Sequence, residues 1–186
     1  MKNNKTRRIT FGGGCFWYTE AIFQEIAGVI NTIAGYSGGH TDYSPTYRQI
    51  CTGITGHAQV VQLEYDENMI SYEELLIIFM TSHNPTKNYL QVADKGSQYK
   101  SIIFYENENE KAITDNLIKE LQPYFNKSIV TEVKRFERFI KAEERFQKYY
   151  QLQKQFNYCN TVIRPKVQRF KTQYKERLKE SFFTLY

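Results

Sequence analysis

Apolar residues recur along this chain in short blocks whose spacing alternates between that of strands and that of helices. Residues 8–11 form a strand-like run that ends on Gly12, Gly13 and Gly14. Cys15 then opens a segment in which Phe16, Ala21, Ile22 and Ile26 lie at roughly helical spacing, so the pattern predicts strand, glycine turn, helix. Residues 29–34 are strand-like and stop at Gly35. Residues 58–65 place Val60, Val61, Leu63 and Tyr65 in a half-buried strand, with a long loop before them. Ser71 followed by Glu74, just ahead of the apolar run 75–79, has the form of a capping box, in which the serine oxygen and the glutamate satisfy each other's free backbone donors. A helix is expected to start there. Residues 101–105 predict a strand, 108–121 a helix stopped by Pro123, and 129–136, with Ile129, Thr131 and Val133 alternating, a last strand. From 142 to 155 the pattern is polar and helical. Pro165 suits the first turn of a final helix whose Val167, Phe170, Tyr174 and Leu178 form one apolar stripe.

Strand-helix-strand given twice is the order of a split βαβ unit. The expected architecture is therefore α+β, a ferredoxin-like split βαβ sheet core with helices packed on it and a C-terminal helical extension. The 186 residues, 41% of them hydrophobic, show no internal repeat and no low-complexity linker, so 1–186 reads as a single domain with 142–186 as its helical extension. No apolar run approaches the roughly 18 residues that cross a bilayer. Residues 1–8 lack the apolar block of a signal peptide, and the expectation is a cytoplasmic protein, a monomer without membrane contact.

Charge and cysteine usage sharpen this. Lys and Arg number 25 against 20 Asp and Glu, and the excess gathers at 164–179, where Arg164, Lys166, Arg169, Lys171, Lys175, Arg177 and Lys179 face one acid, Glu176. That tail offers a surface to something acidic. No nucleic-acid motif accompanies it, and its apolar stripe reads as a docked helix with solvated lysines. Three cysteines, at 15, 51 and 159, are too few for a secreted disulfide scaffold and match no zinc spacing. His40, His57 and His83 are too scattered for a metal and read as polar loop and helix-end residues.

Cys15 stands directly after three glycines and before a predicted helix, where unpaired backbone N–H groups and the helix dipole favour the thiolate. Two readings stand side by side: an activated nucleophile, or a buried cysteine at a strand end. Phe16 and Trp17, the latter the chain's only tryptophan, suggest an apolar pocket for a small group such as a methyl, or simple core filling. The loop 35–57 holds Tyr36, Gly38, Gly39, Tyr43, Tyr47 and Gly56, too glycine-rich for packing alone and supplied with phenols that donate hydrogen bonds.

Six blocks then occur in order: Gly14-Cys15-Phe16-Trp17 with Glu20; Gly35-Tyr36-Ser37-Gly38-Gly39 and Tyr47; Gly53-Ile54-Thr55-Gly56-His57-Ala58; His83-Asn84-Pro85-Thr86; Asp94-Lys95-Gly96-Ser97-Gln98-Tyr99-Lys100-Ser101; and Ala142-Glu143 with Tyr158-Cys159. Over residues 10–170 the chain resembles the A-type peptide-methionine sulfoxide reductases, which act on the S epimer of the sulfoxide. The resemblance implies that Cys15 attacks the sulfoxide sulfur, releasing methionine and leaving a sulfenic acid, with no metal or flavin cofactor. It implies that Phe16 and Trp17 enclose the substrate methyl, and that Tyr47, Tyr99 and a carboxylic acid donate hydrogen bonds to the sulfoxide oxygen. Asp94 matches a carboxylate that helps hold this network. Cys159, in a stretch suited to a mobile segment, matches the resolving cysteine, whose disulfide with Cys15 a dithiol such as thioredoxin reduces. Cys51 reads as a packed thiol, and Glu20 as structural.

The sequence departs from the family where the proton donor is assigned. The family carries glutamate after His-Ala, and this chain has Gln59. Three explanations compete: a tolerated variant in which Tyr47, Tyr99 or water relays the proton, an engineered substitution, or a weakened homologue. Tyr18 and Val92 stand where the family usually has glycine, Asn84 where it has aspartate and Phe146 where it has histidine. Two rivals remain: another thiol enzyme reducing peroxides, and a domain that binds oxidised methionine without turning it over.

Overall fold

The computed structural model of the chain describes residues 5–41, 43–87 and 96–180. In chain order its elements are β1 (Thr6–Gly12), α1 (Phe16–Phe23), β2 (Val29–Ser37), α2 (Tyr47–Cys51), β3 (Ala58–Asp66), α3 (Tyr72–Ser82), β4 (Ile102–Tyr105), α4 (Glu108–Leu121), β5 (Glu132–Arg135), β6 (Phe139–Lys141), α5 (Tyr149–Leu152) and α6 (Arg164–Gln173). The strands form one sheet in the order β5-β4-β1-β3-β2-β6. Its four central strands, β4-β1-β3-β2, pair antiparallel throughout. This is the predicted α+β arrangement, two split βαβ units interlocked, with β5 added parallel at one edge and β6 antiparallel at the other.

The register builds the core. Phe11 lies opposite Val61 on one side and Ile103 on the other, and Val61 lies opposite Ala34, so one row of apolar side chains crosses four strands. Residues on this face pack with Ile22, Phe23, Leu75, Leu76 and Phe79 of α1 and α3. The Phe11 ring stacks on Phe79 at 4.3 Å and tilts against Phe23 at 4.7 Å. Alternate residues point to the other face, where Ala58, Val60, Ile102 and Phe104 form a second small cluster beneath Phe136 and Phe139. Val60, expected with Val61 in one half-buried strand, therefore belongs to a different layer from it.

The capping box at the start of α3 is present in both directions, Ser71 accepting from the Glu74 N–H and Glu74 from the Ser71 N–H. The predicted long loop contains more order than expected. β2 runs on to Ser37, and α2 is closed by a second capping box between Thr46 and Gln49.

The expected helix over 142–155 is broken. A 3-10 turn, Glu144–Phe146, is followed by Lys148 in the left-handed region at φ 50° and then by the short α5. The reason lies in Gln147. Its Oε1 accepts from the Ala34 N–H at 2.9 Å, and its Nε2 donates to the carbonyls of Ala34 and Ala142, both at 2.9 Å. The side chain continues the β2–β6 ladder past its end, at the expense of helical bonds. The final helix starts at Arg164 with Pro165 in its first turn as expected, and Val167 and Phe170 are buried. Leu178, expected on the same helical stripe, lies beyond it and reaches the core through an antiparallel bridge to Ile26. No helix among the described residues is long and apolar enough to cross a membrane.

Candidate active site

The turn between β1 and α1 places a thiol at a helix start. Gly14 adopts φ 94°, a conformation that favours glycine, and its N–H donates to the Tyr99 carbonyl at 3.1 Å. Gly13 passes so close to the rings of Phe79 and His83 that a Cβ would stand 2.9 Å from each. Cys15 is thereby fixed as the N-cap of α1. Its sulfur receives the backbone N–H groups of Trp17 and Tyr18 and the Tyr158 hydroxyl, and Lys166 adds positive charge. All four act in the expected direction, toward the thiolate. Burial opposes them and prevails, pushing the thiol up to about 11. The lowered pKa expected from the helix end alone is corrected: Cys15 is protonated at neutral pH.

Beside it, β3 carries Gln59, buried and opposite Tyr36 in the β2 pairing. Gln59 Oε1 accepts from the Phe16 N–H at 3.3 Å, which leaves Nε2 as a buried donor without a partner. The Trp17 indole N–H is likewise buried and unpartnered. Tyr47 opens α2, its backbone N–H donating to Glu143 Oε1, while Tyr36 donates its hydroxyl to Glu143 Oε2, both at 2.9 Å. Glu143 thus ties the loop to the sheet below the site. The Tyr47 ring runs nearly parallel to Phe16 and Trp17, at 6.3 and 6.5 Å, and meets Phe146 at 4.4 Å. Burial drives its phenol far above the usual tyrosine range, so Tyr47 keeps its proton.

A cavity of about 610 Å³ borders Cys15. Tyr99, Tyr158, Tyr18 and His83 line it, whereas Phe16, Trp17, Tyr47 and Gln59 do not. The structure therefore brings the expected aromatic and polar residues around Cys15 but packs the pair Phe16-Trp17 inward. Phe16 is 1% exposed, and the Trp17 indole is covered by Tyr149, stacked at 3.8 Å, with the edge of Tyr158 at 5.9 Å. Of the two readings the sequence left open for this pair, core filling is the one that describes their packing in the structure.

Cys159 is fully buried and begins a π-helical turn, Cys159–Ile163, ahead of α6. Its neighbour Tyr158 contacts the Cys15 sulfur, so the segment carrying Cys159 lies over that thiol. Cys51, expected to be packed, is exposed at the end of α2, where its thiol hydrogen-bonds the Tyr47 phenol. Asp94 and Val92 lie outside the described residues. Glu20 is buried under Lys148 and Tyr149, whose backbone N–H groups approach its carboxyl without closing a well-formed bond; burial raises it to about 7. His83 caps α3, with Nδ1 donating to the Phe79 carbonyl and Nε2 bonded to the Ser101 hydroxyl, both at 2.7 Å; burial lowers it to about 4, leaving it neutral. Tyr149, Tyr158 and Glu143 were not singled out as site residues by pattern. Their signal was only their place in the last quoted block and in the segment the sequence reads as helix.

Comparison with known proteins agrees with this geometry. The family model described as "Peptide methionine sulfoxide reductase" matches residues 7–178. A peptide methionine sulfoxide reductase MsrA of Saccharolobus solfataricus is 45% identical over 170 residues, 91% of this chain and 96% of that one. Among solved structures, reduced Mxr1 from Saccharomyces cerevisiae superposes with a TM-score of 0.76 at 30% identity, covering 85% of this chain and 91% of its own. Methionine sulfoxide reductase A of Corynebacterium diphtheriae does so with 0.72 at 31% identity, covering 82% and 77%. Matched by that family model over nearly all of its length and by relatives of this identity, the chain belongs to the peptide methionine sulfoxide reductase family.

Proposed function

We propose that the chain reduces the S epimer of methionine sulfoxide, free or in peptides and proteins, to methionine, with Cys15 as the nucleophile. The observation that carries this reading is a helix-capping thiol that borders an open cavity and adjoins a buried, unpartnered amide donor. The Cys15 sulfur attacks the sulfoxide sulfur and the S–O bond to methionine breaks. Oxygen ends on Cys15 as a sulfenic acid, so Cys15 loses the two electrons that the methionine sulfur gains. The proton that Cys15 carries at neutral pH is the one the sulfoxide oxygen must acquire, and the step balances without an external acid.

Gln59 Nε2 and the phenols of Tyr47 and Tyr99 are the donors for the sulfoxide oxygen in this scheme, with Asp94 in the same network. Gln59 has no proton to give, and losing a general acid typically costs about 10²- to 10⁴-fold. One retained donor returns roughly 10²- to 10³-fold. For the substrate methyl to reach the indole, Tyr149 must give way, since ring centroids 3.8 Å apart leave no space between them.

Cys159 then attacks the sulfenic sulfur, releasing water and forming a disulfide with Cys15. A thioredoxin-type dithiol reduces this to two thiols and is itself oxidised. Burial of Cys159 requires the turn around it to open first. A second reading, a homologue that holds oxidised methionine with little turnover, is favoured by Gln59 alone. Mass spectrometry of the reduced protein mixed with methionine sulfoxide decides between them. The expected product has lost two hydrogens, mapped to a Cys15–Cys159 link; unmodified protein beside unconsumed sulfoxide would overturn the enzymatic reading.

A further inference from the structure

We infer that the cavity beside Cys15 selects methionine sulfoxide flanked by carboxylates, so that the preferred substrates are acidic peptide segments. The inference rests on the reductase reading above and names the substrate class for the same site. Among the described residues, the cavity's charged lining is entirely cationic: Lys87, Lys166 and Arg169, with no Asp or Glu. His83, the other titratable base there, is neutral. The charge has a structural origin. Ile163, Lys166, Phe170 and Gln173 recur at the i, i+3, i+7, i+10 spacing of one helical face, with Arg169 beside them, so the apolar members dock α6 while Lys166 and Arg169 reach the cavity rim. Two of the seven cations in the basic tail are thereby aimed at the nucleophile's surroundings.

Tyr18, whose hydroxyl donates to the Ser82 carbonyl at 3.0 Å, presents its ring 5.4 Å from the Lys166 ammonium. That contact orients the ammonium toward the cavity. A volume of about 610 Å³ is within the range of pockets that hold a ligand larger than one side chain. A peptide running through it past Cys15 places neighbouring side chains against Lys166 and Arg169. Acidic neighbours gain there; basic ones are repelled.

The test compares kcat/KM for short peptides capped at both ends, carrying methionine sulfoxide between two glutamates, two glutamines or two lysines. Free methionine sulfoxide and its carboxamide are assayed beside them, because the amino acid's own carboxylate is the other source of the same chemistry. The expected order is glutamate, glutamine, lysine, with about fivefold per step at low salt, the scale of exposed ion pairs. The glutamate-to-glutamine ratio should fall toward one at about 0.5 M NaCl, where screening is strong. It should also fall in a variant carrying K166Q and R169Q. Equal rates for the three wild-type reactions would overturn the inference and leave the reductase reading standing; no turnover of any peptide would overturn the reductase reading itself. A preference that survives in the folded double variant would remove Lys166 and Arg169 from the assignment. A preference confined to the free amino acid over its carboxamide would show a subsite for the amino acid instead. Should the double variant not fold, the salt series on the unmodified chain decides.

Discussion

A thiol held up to about 11 is ionised in only about one molecule in ten thousand at pH 7, so Cys15, the nucleophile proposed above, waits in its protonated form. Alkylation of Cys15 by iodoacetamide, followed by peptide mass spectrometry, should be slow at pH 7 and rise about tenfold per pH unit toward pH 11, with exposed Cys51 as an internal comparison. Lys166→Met removes a charge that favours the thiolate, and should slow Cys15 alkylation further at any pH below that value. A Cys15 that reacts readily at pH 6 would contradict the burial argument. Gln59 raises the complementary question. Gln59→Glu puts a titratable proton next to the Phe16 N–H, and should increase the single-turnover rate with methionine sulfoxide near pH 7. An unchanged rate would show that the thiol proton, relayed through Tyr47, Tyr99 or water, already suffices.

The segment between β6 and α6 depends on one side chain. Gln147→Ala removes three hydrogen bonds and leaves the buried Ala34 N–H without a partner, a loss of about 2–4 kcal/mol measured by urea unfolding. The same change should loosen Tyr149 from the single tryptophan, and a red shift of Trp17 emission would report it. Unaltered emission with full stability would mean that the segment is held by its aromatic contacts alone. Gln147 also explains what the sequence could and could not disclose. The split βαβ order, the α3 capping box and the Pro165 helix start were legible because each depends on local spacing or on bonds within a few residues. The break at Lys148 was not, because it depends on a bond across 113 positions to Ala34. Similarly, the Gly-Gly-Gly-Cys turn announced a thiol at a helix start, but its pKa depends on burial, opposed by a hydrogen bond from distant Tyr158, that no local pattern states. The α2 capping box at Thr46 and Gln49 was readable and shows how a loop rich in glycine and tyrosine can hide a short helix.

Among the described residues, groups held by burial respond to pH in opposite senses: His83 and His57 are lowered, Glu20 and Glu25 raised. His83 joins the end of α3 to the start of β4, and its pKa is lowered from 6.5 to about 4. It is only half-buried as a residue, yet both ring nitrogens bond inward. Its contribution is present above pH 6.5 and is lost as pH falls toward 4. Glu20, beneath Lys148 and Tyr149, is raised from 4.5 to about 7; its penalty is absent below pH 4.5 and complete above 7, so falling pH stabilises the fold through it. Each shift corresponds to about 3 kcal/mol in order of magnitude, and the two offset one another between pH 4.5 and 6.5. Carboxylates held below their ordinary values, Glu67, Glu132 and Glu143, begin to lose their contribution only under pH 4.5. Urea midpoints of the unmodified chain should therefore be nearly level from pH 7 to pH 5. Glu20→Gln removes the compensating group, and its midpoint should drop as the solution is acidified over that range. His83→Asn removes the other, and its midpoint should climb under the same acidification. The slopes carry the result, since either substitution can shift the absolute stability through packing. Parallel curves for all three proteins would show that neither buried group is perturbed, and that α1, α3 and the segment above Trp17 are not coupled to pH through them.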